Sequence, residues 1–252
     1  MKKLFFFVHS LTTAGTALPT HTHKCLDDIS SRAHLQPCLV FPSLLCLSVY
    51  TIATATNCAH GSTGTPTSLA HTVSLAARAG ASIGAHPSFV DREGFGRTAQ
   101  DTAPLELRDQ VLFQVGALDA LCRGVGRRVQ YIKPHGALYH AIMAGGAQGE
   151  AVFEASRMLE LPLLLMPQSK WATYGEGFAE RAYDGDLLRP RDQEGAVIHD
   201  PWLAAKQGVL LAARRNVHTI CVHGDSPNAV VVAKAVRAGL ETAGYDVRSF
   251  VA

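Results

Sequence analysis

From Pro66 onward the chain alternates helix-length amphipathic stretches with short, continuous apolar runs, and this alternation constrains the fold more than any other feature of its 252 residues. Residues 66–79 read as a helix. Proline stands at the start, Leu69, Val73 and Ala76 share one face, and Gly80 follows as a stop. Residues 81–85 read as a strand. A long helix is expected over 102–125, with Leu105, Val111 or Leu112, Val115, Leu118 and Leu121 or Cys122 turned inward. Residues 129–132 read as a strand, about 147–159 as a helix, and 161–166 as an apolar run. A helix over 203–214, a strand over 217–222, a helix over 229–243 and a last strand within 245–251 complete the pattern. The strands do not alternate apolar with polar residues, as expected when both faces of a sheet are covered. Repeated strand–helix units imply an α/β fold with a mostly parallel sheet, either closed or open. One domain over 66–252 is the simplest organisation.

The first 65 residues differ. They hold two of the 21 acids, Asp27 and Asp28, and show no clean period of 2 or 3.6. Met1-Lys-Lys-Leu-Phe-Phe-Phe-Val has the basic-then-apolar order of a secretory leader. Its apolar stretch is short, His9 interrupts it, and no small-x-small site follows. An irregular segment is the plainer expectation. Out-of-frame translation would leave the same signature, and reading the gene upstream of the Pro66 codon in all three frames tests that idea.

Composition excludes several classes. A net charge of +2, with no Lys/Arg cluster, gives no footprint for nucleic acid. No apolar run approaches the ~18 residues of a membrane-spanning helix. The six cysteines form no CxxC pair, which removes zinc-ribbon and thioredoxin readings. Cys122 and Cys221 read as buried reduced thiols, and a cytoplasmic location is expected. There is no GxxxxGK[ST] loop, no GxGxxG opening a helix after a strand and no GxSxG elbow.

Three expected strands end alike: Ile83-Gly84-Ala85-His86-Pro87, Tyr131-Ile132-Lys133-Pro134-His135-Gly136 and Cys221-Val222-His223-Gly224-Asp225. In α/β folds the C-terminal strand ends share one edge, and that edge carries the site. His86, His135 and His223 are therefore expected to converge and to offer acid, base or ligand chemistry near neutral pH. A divalent metal on this trio stays open at this point, although the local spacing of an HExxH helix is missing. Asp225 serves as an imidazole partner or as a helix cap. Lys133 is either a cation for a carboxylate or carbonyl, or a solvated surface lysine. Residues 91–97, with Arg97, suit a loop folding over an anion. The stretches 180–183 and 189–191 have the same two readings, anion contact or solvated turn. Asp200 reads as a helix cap.

The segments SIGAHPSFVDREGFGR (82–97), IKPHGALY (132–139), FAERAYDGDLLRPR (178–191), GAVIHDP (195–201) and CVHGDSP (221–227) resemble, in order, the motifs of the LamB/YcsF family. The resemblance implies a seven-stranded β/α barrel-like fold of the glycoside hydrolase/deacetylase type. It also implies the activity of the A subunit of a 5-oxoprolinase: ATP-dependent opening of 5-oxo-L-proline to L-glutamate, performed with B and C subunits. His86, Lys133, His135, His223 and Asp225 match family positions at strand ends, and Arg97 and Arg181 match its loop motifs as substrate-binding residues. Family members begin with an acidic DxNxDxGE strand and a Cys-Gly-Phe-His-Ala-Gly-Asp-Pro stretch. Here only residues 57–66 echo the second, so the first barrel strand and several carboxylates are expected to have no counterpart. The rival expectations are a stand-alone metal-dependent deacetylase or amidohydrolase of the same barrel class, and a catalytically dead truncated family member.

Overall fold

The computed structural model describes residues 2–9, 55–59, 65–224, 226, 228–249 and 251. The strands are β1 (Lys2–His9), β2 (Ala55–Ala59), β3 (Ser82–His86), β4 (Val129–Ile132), β5 (Leu164–Leu165), β6 (Tyr174–Phe178), β7 (Tyr183–Asp184), β8 (Leu187–Leu188), β9 (Thr219–His223) and β10 (Tyr245–Arg248). The helices are α1 (Pro66–Arg78), α2 (Pro104–Arg123), α3 (Gly136–Ala144), α4 (Gly146–Met158), α5 (Pro201–Ala212) and α6 (Ala229–Thr242). None of the described helices is long and apolar enough to cross a membrane.

Local chemistry fixes where the helices begin. The Thr65 hydroxyl accepts from the Ser68 N–H, the Ser68 hydroxyl accepts from the Thr65 N–H, and Pro66 opens α1. This reciprocal pairing satisfies two N–H groups that a helix start leaves without partners. Asp200 caps α5 by accepting from Leu203 N–H at 2.9 Å, so its cap reading is the observed one.

Seven strands run in the order β4-β3-β2-β1-β9-β6-β5, and every pairing along that path is parallel. The two end strands approach each other. Ile132 forms a parallel bridge with Leu163, and its N–H donates to Pro162 O at 2.9 Å. That bridge closes the seven strands into a β/α barrel. β10 pairs in parallel with the first half of β1, and β7 and β8 form a separate small hairpin.

The expectation of a barrel without its first strand is corrected. Residues 2–9 form β1, which pairs with β2, β9 and β10. Its apolar run has the composition of a buried parallel strand, and composition alone does not separate that from a leader. The sheet thus draws strands from both sides of residue 65. α3, β6 and the β7–β8 hairpin are further elements that the periodicity did not indicate.

The helices cover the barrel. Leu69, Val73, Val111, Val115, Leu118 and Val152 pack with Ile83, Tyr131, Ile132 and Leu164 in one cluster. Leu211, Val232, Val236 and Leu240 pack on Ile220 and Val222 in a second. Cys122 and Cys221 are free and buried, and burial pushes the Cys122 thiol up to about 12.

Gly84 shows how tightly β3 and β4 are matched. A Cβ at this position would lie 2.1 Å from the buried ring of Tyr131. Overpacking of this kind typically costs about 1–3 kcal/mol. Gly84→Ala should lower the urea unfolding midpoint accordingly, and an unchanged midpoint would contradict the packing described.

Candidate active site at the C-terminal rim of the barrel

Parallel register brings the site together. Along β1, β9 and β6, His9 pairs with His223 and Phe178 with Cys221. Along β2, β3 and β4, Ala59 pairs with His86 and Ala85 with Ile132. His86, Lys133 and His223 therefore leave the sheet at one level, with Glu180 two residues beyond the end of β6. Backbone contacts carry the order past the strand ends: Lys133 N–H donates to Ala85 O at 2.9 Å and His135 N–H to Pro87 O at 2.8 Å. The cleft at this rim is lined by all three histidines and by Lys133, Arg97 and Arg181. Arg191, Phe178, Tyr139 and His140 complete most of its wall. Asp225 lies outside the described residues.

His86 and His135 touch, Nε2 to Nδ1, at 2.9 Å. His86 Nδ1 faces Lys133 O, and His135 Nε2 lies 2.8 Å from Phe95 O. The carbonyl of Phe95 is presented by a fixed turn. The Asp91 carboxylate accepts from Gly94 N–H at 2.7 Å and Thr98 N–H at 3.1 Å, and Phe95 and Gly96 both have positive φ. Gly136, at φ +56°, brings α3 against this turn, where Ala137 N–H donates to Gly96 O at 2.9 Å. A Cβ on Gly136 would sit 2.3 Å from Gly96 O, so glycine is required there. Burial first, then the charges of Arg97, His223 and Lys133, lowers His135 to about 4, against the raising effect of the Phe95 carbonyl. Burial, His135 and Lys133 hold His86 well below its ordinary value.

Lys133 is not a solvated surface lysine. It is 3% exposed, and its Nζ donates at 2.6 Å to each oxygen of Glu176, a carboxylate on β6 that is itself buried. The same Nζ sits 4.5 Å from the centre of the Phe178 ring. The pair places a neutralised but strongly polar group at the floor of the cleft.

His223 has its own carboxylate. Glu180 Oε1 accepts from His223 N–H at 2.9 Å and contacts His223 Nδ1, while Phe178 stacks on the imidazole at 5.7 Å. Glu180 Oε2 is buried with no hydrogen-bond partner among the described residues. Burial works against the Glu180 carboxylate. The adjacent His223 outweighs it, through charge and hydrogen bonds, and holds the group below its ordinary value. A carboxylate on Nδ1 fixes the tautomer with the proton there and turns Nε2 outward as a base.

Arg181 is held by Ala196 O at 3.2 Å and Arg189 O at 2.6 Å. Burial and then Arg191 push its guanidinium down to about 10. Arg97 stands over the Phe95 ring at 5.1 Å. Three arginines on one cleft favour an anionic ligand.

The structure thus brings His86, Lys133, His135, His223, Arg97 and Arg181 to one cleft. Glu176 carries chemistry that sequence reasoning did not assign, and it left Glu180 and Arg191 as members of ambiguous loops. The motif resemblance over 178–191 touches Glu180 and Arg191. Glu176 lies between two glycines that read as loop, and only its pairing with Lys133 marks it.

A resident metal does not fit the described donors. Among the described residues no three His, Cys, Asp or Glu side chains form a metal-holding group. The nitrogens of His86 and His135 face each other and two carbonyls, and His223 Nδ1 is engaged by Glu180.

Residues 47–252 match the model of the LamB/YcsF family. This chain belongs to the LamB/YcsF family. A relative from Kocuria rhizophila, named as the A subunit of 5-oxoprolinase, is 42% identical over 212 residues, spanning 74% of this chain and 84% of the relative. The lactam utilization protein from Thermus thermophilus superposes with a TM-score of 0.81 at 28% identity, covering 99% of this chain and 100% of that one. A family 4 carbohydrate esterase from Streptomyces lividans shares the fold alone, with a TM-score of 0.50 at 10% identity over 98% of this chain and 91% of that one.

Removing one member of a buried ion pair leaves an uncompensated charge and costs about 3–5 kcal/mol. Lys133→Met should therefore destabilise this LamB/YcsF protein strongly in chemical denaturation. Adding Glu176→Gln should recover most of the loss. A double variant as unstable as the single one would contradict the pairing.

Proposed function

We propose that this chain is the A subunit of an ATP-dependent 5-oxoprolinase, a hydrolase that opens the cyclic amide of 5-oxo-L-proline to L-glutamate together with B and C subunits. The observation that carries the reading is the Glu180–His223 pair facing a cleft walled by arginines, in a family whose relatives bear the oxoprolinase name. Lactam opening needs a base for water, positive charge where the carbonyl oxygen becomes anionic, a hold on the substrate carboxylate and a proton for the ring nitrogen.

Each requirement has a group in the cleft. His223, with Nδ1 bound to Glu180, offers Nε2 as the base. Lys133 at the floor supplies the electrostatic contact for the carbonyl oxygen. Arg97, Arg181 and Arg191 supply the contacts for the carboxylate and for any phosphoryl group on an activated substrate. His86 and His135 line the same cleft, and His223 returns the proton it takes from water to the ring nitrogen. The sequence has no nucleotide-binding loop, so ATP is assigned to the partner subunits, wholly or in part. The described donors do not form a metal site, and no step is routed through a divalent ion. β1 supplies the strand that the dead-member reading lacked, although its residues carry no carboxylate.

The test is turnover of 5-oxoproline by this chain mixed with competent B and C subunits and ATP. Glutamate should appear only in the complete mixture. His223→Ala should lower the rate by roughly a hundredfold or more, the usual contribution of a general base. Glu180→Gln should lower kcat with little change in KM, because it disturbs the base and not the anion contacts. Full activity in His223→Ala would remove this residue from the mechanism.

A further inference from the structure

His86 and His135 make a chain of three polar contacts: Lys133 O to His86, His86 to His135 at 2.9 Å, and His135 to Phe95 O at 2.8 Å. Both ends are backbone carbonyls, which only accept. Each contact therefore needs one proton, and the chain needs three. Two neutral imidazoles carry two ring protons between them. A neutral pair leaves one contact with lone pair facing lone pair. A pair with three protons fills every contact and becomes a monocation.

The surroundings decide which state is held. Lys133, directly after β4, faces both rings, but Glu176 of β6 offsets its charge. His223 of β9 faces them with Glu180 behind it. Arg97, from the turn after β3, faces His135, and Arg181 and Arg191 line the same cleft. With burial, this cationic wall keeps the pair neutral when no anion is bound. An anion seated among the arginines cancels that field, while the three contacts continue to favour the extra proton.

We propose that entry of an anion into the cleft is linked to uptake of one proton by the His86–His135 pair. The inference rests on the cleft being the substrate site and adds a consequence for the reaction: the bound anion meets a pair that carries one positive charge. As the water oxygen bonds to the carbonyl carbon, its proton passes to His223. As the ring C–N bond breaks, its electron pair stays on nitrogen, which takes that proton from His223, while the ring nitrogens of the His86–His135 pair stay engaged with each other and with the two carbonyls. Linkage also fixes the sign with pH. Proton uptake on binding makes anion affinity rise as pH falls, by up to tenfold per unit for one proton.

The test uses the full chain labelled with 15N in its histidine rings. Sulfate serves as the probe, since it exchanges no proton near neutral pH. Ring signals of His86 and His135, assigned with His86→Gln and His135→Gln, should be those of neutral imidazoles at pH 7 without sulfate. They should move together toward imidazolium as sulfate is added, with half-saturation at a several-fold lower concentration at pH 6. Rings that are cationic before sulfate is added, or neutral throughout the titration, would overturn the proposal. Turnover with the partner subunits is read separately. Protonation without turnover removes the oxoprolinase reading and keeps the linkage. Turnover with rings that stay neutral does the reverse.

Discussion

The architecture depends on parallel register around a closed barrel. One residue of slip in any strand would turn its side chains to the other face and move its exit along the rim. Because β3, β4 and β9 end at matching levels, residues about 50 and about 90 positions apart in sequence meet at one cleft. The Ile132–Leu163 bridge is the closure that makes this rim a ring and not an open edge. Close contacts without room for a Cβ, at Gly84 against Tyr131 and at Gly136 against Gly96 O, lock the register where it positions His86 and His135.

On that frame the site divides its charges. Each interior cation or base on the floor and one wall is matched by a buried carboxylate: Lys133 by Glu176 and His223 by Glu180. Arg97, Arg181 and Arg191 line the same cleft and give it its positive character. Such an arrangement separates two tasks. The matched pairs fix protonation and orientation, whereas the arginines respond to the ligand. The His86–His135 pair lines the same cleft as both sets, which is why its proton count is sensitive to what occupies it.

Much of the fold was legible in the sequence where local physics decides it. The strand at 129–132 has the bounds expected, and α1, α2, α4, α5 and α6 begin and end within about two residues of the pattern, because caps, prolines and apolar stripes are local signals. What was not legible rests on tertiary contact. β6 reads Tyr-Gly-Glu-Gly-Phe, a loop by propensity. It is a strand because Gly175 has no room for a side chain beside Asn216 O, Gly177 packs against Leu211, and Glu176 meets Lys133. α3 was hidden because it starts on a positive-φ glycine directly after a strand exit. β1 was hidden because three phenylalanines after two lysines suit a leader as well as a barrel strand. In the site, the histidines were visible through their repeated strand-end setting, while the carboxylates that orient Lys133 and His223 became visible only in three dimensions.

The central claim is that one cleft at the C-terminal rim receives the lactam, with its carboxylate toward the arginines and its carbonyl within reach of a water activated by His223. A crystal structure of the chain with 5-oxoproline bound tests this most directly. The account predicts the carboxylate against at least two of Arg97, Arg181 and Arg191, the ring nitrogen toward His223, and the carbonyl oxygen toward Lys133. A ligand bound away from this cleft, or seated in it with the carboxylate turned from the arginines, would contradict it.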